Sequence, residues 1–227
     1  MATPGSFETD LVSTSAGDLS ITFLGHASLL MTFNGKNIFI DPFGQVADYT
    51  SLPKADIIIC THEHRDHLDP QALAAIRTPT TVLVLNPAGA SQVDGSISMR
   101  SGDKKTIAGL PIEAVAAYNI LHMREDGNPF HPEGNGNGYI LTFGNMRLYL
   151  AGDTENIPEM KNLHNIAIAF LPMNLPYTMT PEMVADAARM FKPRILYPYH
   201  YGNTDPNKLV ELLKADKGIE VRVRRMA

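Results

Sequence analysis

Short apolar or alternating runs, bounded by Gly, Asn and Pro, dominate the first third of the chain. Residues 19–24, 29–33 and 37–40 carry the alternation or brief continuous hydrophobicity of strands. Asn34 and Gly35 separate the last two runs, and both residue types accept the positive φ that a two-residue hairpin turn requires. The pattern predicts an antiparallel meander. From residue 55 the texture changes to a strand over 56–60, a helix over 70–76 and a strand over 80–85, which is α/β alternation. Further short strands are expected around Ile97, around Lys105, and over 112–117, 138–143 and 146–150, the last two joined by a tight turn at Gly144 and Asn145. The final third alternates again, with strands over 167–171, 194–197 and 219–223 and a helix over 206–213. Another helix opens at Thr180, Pro181 and Glu182, which supply an N-cap, a first-turn proline and an acid near the positive helix end. Two halves that each mix strands and helices predict a sandwich of two sheets with helices packed outside. Residues 1–17 are polar and rich in Ser, Thr and Gly, so a loosely held lead-in is expected there, followed by a single domain over 18–227.

Composition narrows the class without naming a chemistry. Hydrophobic residues at 44% and charged residues at 19% of 227 suit a globular protein with a sizeable core and exclude a disordered or fibrous chain. A net charge of −5 speaks against nucleic-acid binding, which needs clustered Lys and Arg to displace counterions. The small basic cluster of Arg222, Arg224 and Arg225 lies in an alternating stretch and reads as a solvated strand face. The single cysteine, Cys60, precludes an internal disulfide and, at the end of an apolar run, reads as a packed thiol. The first residues lack the basic start and apolar core of a signal peptide, and no run approaches the roughly 20 apolar residues of a membrane span. A cytoplasmic location is the default expectation.

The chemistry is concentrated just past one buried strand, in Thr61, His62, Glu63, His64, Arg65, Asp66, His67, Leu68 and Asp69. Residues leaving a strand end fan into the cleft where α/β proteins bind ligands. Imidazole nitrogen and carboxylate oxygen are what Zn²⁺ and its first-row neighbours accept, at about 2.0–2.2 Å. Three His and an Asp crowded into a turn otherwise pack poorly and repel when protonated. Alternation along the loop sends His62 and His64 to one ion and Asp66 and His67 to a second. Asp153 also follows an apolar strand, and Gly152 before it permits close backbone approach, so its carboxylate either bridges the ions or caps a turn. His200 repeats the design just past the strand over 194–197, within the run from Leu196 to Gly202. His164 has no motif around it and reads as a surface residue.

Together these pieces (His-Xaa-His-Xaa-Asp-His after a strand, then Gly-Asp-Thr, then a late strand ending in His) resemble the metallo-β-lactamase superfamily over residues 19–205. Gly25 to Ser28, Ile40 to Pro42 and Thr61 to Asp69 are most similar to its branch of ascorbate-6-phosphate lactonases and N-acylphosphatidylethanolamine phospholipase D enzymes. The resemblance implies a four-layered αβ/βα sandwich, two mixed β-sheets flanked by helices, with two divalent ions at one edge: Zn²⁺, or alternatively Mn²⁺ or Fe. By motif, His62, His64 and a later His hold the first ion, Asp66, His67 and His200 the second, with Asp153 between them. The later His departs from the usual pattern. His131, in a Gly-rich loop ahead of a strand, is preferred to His122, and Asn119 lies in the same interval. His26 and Asp41 fall at strand ends, where they line the cleft, orient ligands or cap turns.

The implied activity is hydrolysis of a small ester, lactone or phosphodiester by a metal-bound hydroxide, since metal binding can bring the pKa of water from about 15.7 to near 7. Asp66, as ligand and hydrogen-bond partner of that water, is the catalytic candidate. The loops over 119–136 and 173–180 are expected to wall the pocket. Tyr177, Tyr199 and Tyr201 either donate to substrate or pack, and no Arg-rich phosphate clamp is evident in the sequence. The expected partner is a small molecule, with self-association possible. Two other readings remain at this stage: an iron-dependent redox enzyme on the same scaffold, and a metal-binding protein without catalysis.

Overall fold

A computed structural model describes residues 7–227. The first half opens as an antiparallel meander of β1 (Glu8–Thr14), β2 (Gly17–Gly25), β3 (Ser28–Phe33) and β4 (Lys36–Ile40). Asn34 and Gly35 turn the chain between β3 and β4 with φ of 49° and 75°, so that Phe33 pairs with Lys36. Crossovers then place β5 (Ile57–Ile59), β6 (Val82–Leu85) and β7 (Ile97–Ser98) parallel to β4, with α1 (Pro70–Ile76) and α2 (Pro87–Ala90) between them. β5 is buried on both faces, which is why it reads as an unbroken apolar run: Ile57 and Ile59 face the core between the sheets, while Ile58 and Cys60 face the layer containing α1. Asp69 caps α1 by accepting from the Gln71 N–H, with Pro70 at the first helical position.

The second half repeats the plan. β8 (Lys104–Ile107), β9 (Leu110–Ala117), β10 (Gly136–Phe143) and β11 (Met146–Leu150) run antiparallel, and β12 (Ile166–Pro172), β13 (Ile195–Tyr199) and β14 (Glu220–Val221) follow in parallel. α3 (Pro181–Phe191) and α4 (Asn207–Leu213) supply the helices, and Thr180 caps α3 through the Met183 N–H. Each half forms a seven-stranded mixed sheet, in the orders β1 to β7 and β14 to β8. Leu19, Ile21, Leu29 and Met31 of one sheet interdigitate with Leu141, Phe143, Leu148 and Phe170 of the other. Burial of these faces, at about 25 cal/mol per Å² of apolar surface, holds the sheets together with helices outside. The expected four-layered αβ/βα sandwich is the fold observed.

Two expectations are corrected. Residues 8–14 are not a loose lead-in but the edge strand β1, paired along its length with β2, while residues 1–6 lie outside the described residues. The arginines near the C-terminus are not a solvated strand face either. β14 ends at Val221, and the chain beyond it turns so that Arg224 donates to Asp10 of β1 at 2.8 Å. Arg222 Nη1 lies 3.6 Å from the same carboxylate, and the Tyr197 hydroxyl donates to it. The Arg224 guanidinium also lies over the Phe23 and Tyr197 rings, 5.7 and 5.8 Å from their centroids. Tyr197 and Arg224 lie 187 and 214 positions from Asp10, beyond the reach of local alternation.

This clamp is testable. Burial would raise the Asp10 carboxyl, but the Tyr197 hydroxyl and the two guanidiniums outweigh it and hold its pKa below the ordinary 3.8. A depressed carboxylate stabilises the fold fully above the unfolded value and loses that contribution as pH falls through the folded one. Asp10→Ala is expected to cost about 1–3 kcal/mol in urea unfolding at neutral pH. Its deficit should shrink below pH 3.8; a deficit independent of pH would mean that packing, not charge, holds β1.

Candidate metal centre

Five strand ends meet at one edge of the sandwich. β2 delivers His26, β4 delivers Asp41, β5 the loop from Thr61 to Asp69, β11 leads to Asp153 and β13 to His200. His26, Asp41 and His200 have φ of 54°, 43° and 47°, a left-handed conformation uncommon for side-chain-bearing residues that breaks each strand abruptly. The His200 N–H donates to the His26 carbonyl at 2.9 Å, stitching the second sheet to the first. Gly152 has φ of +66°, and a Cβ there would lie 2.7 Å from the Asn137 carbonyl oxygen and 3.1 Å from Thr61 Cβ. The chain therefore enters the site beside β10 and the Thr61 loop only through a glycine.

All seven residues singled out as ligands converge here. His62, His64 and His131 bring ring nitrogens within 4.8 Å of one another, and a second group of that kind comprises His26, Asp66, His67 and His200. His62, His67 and Asp153 form a third group that joins the two. Asp153 Oδ2 is 3.2 Å from His131 Nε2 and 3.5 Å from His200 Nε2, and Oδ1 is 3.5 Å from His67 Nε2. Asp66 Oδ2 lies 3.0, 3.5 and 3.7 Å from Nε2 of His26, His200 and His67.

The donor set fits cations. His67 Nε2, His200 Nε2 and Asp153 Oδ1 are buried without a hydrogen-bond partner, and each such orphan ordinarily costs about 1–3 kcal/mol. Three orphans facing one another are what metal ligands look like from the protein's side. The opposite ring nitrogens are committed outward, as ligand imidazoles require. His67 Nδ1 donates to Asp41 at 2.9 Å and His131 Nδ1 to Asn119 Oδ1 at 2.7 Å, while His62 Nδ1 faces the Thr61 hydroxyl at 3.0 Å. Asp41 is itself held by the Thr61 N–H and hydroxyl at 2.7 and 2.9 Å.

The local fields agree with this arrangement. Burial, reinforced by the neighbouring His67, holds His62 well below its ordinary pKa and keeps it neutral, the form that binds a metal. Burial would raise Asp66 and Asp153, yet the imidazoles around them prevail and keep both ionised. Burial would likewise lower His67, but Asp153 and Asp41 outweigh it and raise its pKa, so positive charge is favoured at that point. Cys60 is fully buried, its thiol pushed well up by desolvation and then by Asp41, and it joins none of the donor groups.

The loop over 119–131 hangs from a residue with no sequence signal beyond its place two positions after Asp153. Glu155 is fully buried, and its carboxylate accepts from the N–H groups of Ile120, Leu121 and His122, from Asn119 Nδ2 and from His122 Nδ1, at 2.7–3.0 Å. His122 is thus turned onto Glu155, and His131 is the imidazole at the centre. Glu63, pointing away from the ligands, accepts from Asn86 and Asn135 and braces the His62 loop from behind. A cleft of about 470 Å³ opens above the ligands, lined also by Arg65, Arg124, Phe130, Asn174 and Tyr177. Of the three tyrosines considered, Tyr177 lines it. Tyr199 instead accepts from the Gly152 N–H at 2.9 Å, and Tyr201 donates to the Arg224 carbonyl at 2.7 Å. His164 is exposed and away from the centre.

Comparison with known proteins agrees with the geometry. The family model of the β-lactamase superfamily domain matches residues 20–200. A protein of Parabacteroides distasonis assigned as a metal-dependent hydrolase is 48% identical, with a TM-score of 0.93 over 97% of this chain and 100% of that one. A metallo hydrolase of the archaeon Ignicoccus hospitalis is 25% identical, with a TM-score of 0.75 over 92% and 96% of the two chains. A metal-dependent hydrolase of Methanopyrus kandleri is 30% identical over 204 residues, 83% of this chain and 86% of that protein.

Glu155→Gln would set an amide NH₂ against donors and is expected to cost about 2–4 kcal/mol of stability. Hydrogen exchange should quicken at the amides of residues 120–122 before it does in the sheets. Unchanged protection there would remove Glu155 as the anchor of the loop.

Proposed function

Since the chain belongs to the β-lactamase superfamily and is one of its metal-dependent hydrolases, we propose that it hydrolyses a small ester, lactone or phosphodiester at a two-ion centre. His62, His64 and His131 would hold one ion and Asp66, His67 and His200 the other, with Asp153 between them. The observation that carries this reading is the trio of buried, unpartnered donor atoms on His67, His200 and Asp153. Zn²⁺ is the favoured metal, because a nitrogen-rich set with few carboxylates suits it better than Mg²⁺ or Ca²⁺.

Bound there, divalent ions would supply Lewis acidity, polarising a carbonyl or phosphoryl oxygen and acidifying water. The protein's own groups do the rest. Asp66 is ionised and faces the cleft, with its carboxylate 36% exposed, so it can accept a proton from the attacking water. His26 lies against the same carboxylate oxygen at 3.0 Å and fixes its orientation. Asn119 and Asp41, by taking the outward N–H of His131 and His67, keep those rings from turning. The Tyr177 hydroxyl and the Asn174 amide line the cleft and can donate to a substrate oxygen.

Two measurements test the reading. Dialysis against a strong chelator is expected to abolish hydrolysis and lower the melting temperature, because a ligand bound by the folded state alone stabilises it. Separate readdition of Zn²⁺, Mn²⁺ and Fe²⁺, with elemental analysis, then identifies the metal, and oxygen-dependent turnover with iron in place of hydrolysis would overturn the assignment. Asp66→Asn should lower kcat by about 10²–10⁴-fold with the fold intact. Turnover equal to that of the parent would exclude Asp66 as proton acceptor.

A further inference from the structure

Outside the ligand set, the formal charges lining the cleft are both positive. Arg65 sits between His64 and Asp66 on the ligand loop, and Arg124 reaches in from the loop over 119–131. Both residues are exposed, and no side-chain ion pair joins Arg65 to any described residue. Arg124 spends one N–H on the Phe130 carbonyl at 3.2 Å and lies over the Phe130 ring at 5.0 Å; the charge of exposed Asp126 acts on it, but among the described residues no hydrogen bond engages the rest of its fork. Among the described residues no carboxylate other than those of Asp66 and Asp153 lines the cleft, and nearby Glu63 is occupied by Asn86 and Asn135. Asp66 and Asp153 lie against the imidazoles of the centre, which leaves the two guanidiniums as the formal charges of the outer lining. Guanidiniums that face a pocket attract anions into it.

The same wall is apolar. Phe130 and Tyr177 meet edge to face at 5.1 Å, with Tyr177 45% exposed. Of the exposed large hydrophobic residues among those described, Ile120, Leu121, Met123, Leu175 and Tyr177 all belong to the two loops that carry this wall. Guanidinium and aromatic ring side by side suit a substrate that pairs an anionic group with an apolar body.

We infer that the substrate carries a permanent anionic group, a carboxylate or a phosphate, set apart from the bond that is cleaved. Arg65 and Arg124 hold that group, and the apolar body of the substrate lies against Phe130 and Tyr177. The inference rests on the hydrolytic reading of the centre. Ions held by the ligand set would act on the scissile group, whereas the arginines stand on the lining beside it, so selectivity for a remote anion would fall to them.

Mono-4-nitrophenyl succinate and 4-nitrophenyl propionate form a matched pair of esters, differing only in a carboxylate set apart from the scissile bond. The metal-loaded protein should prefer the succinate in kcat/KM, mainly through KM. Arg65→Gln with Arg124→Gln should reduce the succinate-to-propionate ratio by roughly tenfold or more. Arg100→Gln, which removes a positive charge outside the cleft, should leave the ratio as it was. A preference retained in the double variant would overturn the inference by assigning selectivity to the ions. Binding is read separately by fluorescence titration with 8-anilinonaphthalene-1-sulfonate and its neutral parent N-phenyl-1-naphthylamine. Loss of the sulfonate's advantage in the double variant supports the anion site even if neither ester is turned over, in which case it is the ester-hydrolase reading that fails. Equal affinities for the two dyes in the parent protein, or an advantage untouched by the substitutions, refute the site itself.

Discussion

A carboxylate buried among imidazoles can persist only beside positive charge. Asp153 is nearly inaccessible, ionised, and ringed by His67, His131 and His200, with one oxygen left without a hydrogen bond. Protons on the surrounding rings can supply part of the compensation, as the raised pKa of His67 indicates. A bound metal ion would supply it without asking neutral, buried imidazoles such as His62 to ionise. The other features of the edge follow from that requirement, because a metal must be met by several ligands at once and no single loop supplies them all.

The sandwich answers this by division. The first sheet contributes His26, Asp41 and the ligand loop, the second contributes Asp153 and His200, and the bond from the His200 N–H to the His26 carbonyl fixes their separation. The strained left-handed residues lie at these junctions because each strand must stop and turn its next side chain inward within one residue. Gly152 does the same where even a methyl group would strike the Asn137 carbonyl. The apolar core between the sheets is therefore also what sets the spacing of the ligands.

Around the centre, polar groups that take no part in binding act on those that do. Glu155 gathers three backbone amides and two side chains, and thereby places Asn119, which fixes the tautomer and plane of His131. The same loop presents Arg124 and Phe130 to the cleft, so the geometry of one ligand and the character of the substrate wall share a single anchor. Burial makes such an arrangement rigid, since each donor removed from Glu155 would leave a charge in a medium that solvates it poorly.

Local pattern carried much of this molecule. Alternation and short apolar runs placed nearly every strand, the Asn34–Gly35 turn followed from backbone sterics, and the proline and threonine at the start of α3 announced that helix. The ligand types were legible too, because His62, Asp153 and His200 each lie one to three positions past an apolar strand, His64, Asp66 and His67 share the loop that His62 begins, and His131 lies in a Gly-rich loop ahead of β10. What the chain could not announce was which groups would face one another. Asp10 with Arg224, Glu155 with the loop over 119–122, Asp41 with His67, and Arg65 with Arg124 in one cleft lie far apart in sequence, and no periodicity relates them. Those partnerships are decided when two sheets pack face to face, since burial of the shared core then fixes the position of every strand end and forces each desolvated charge to find a partner.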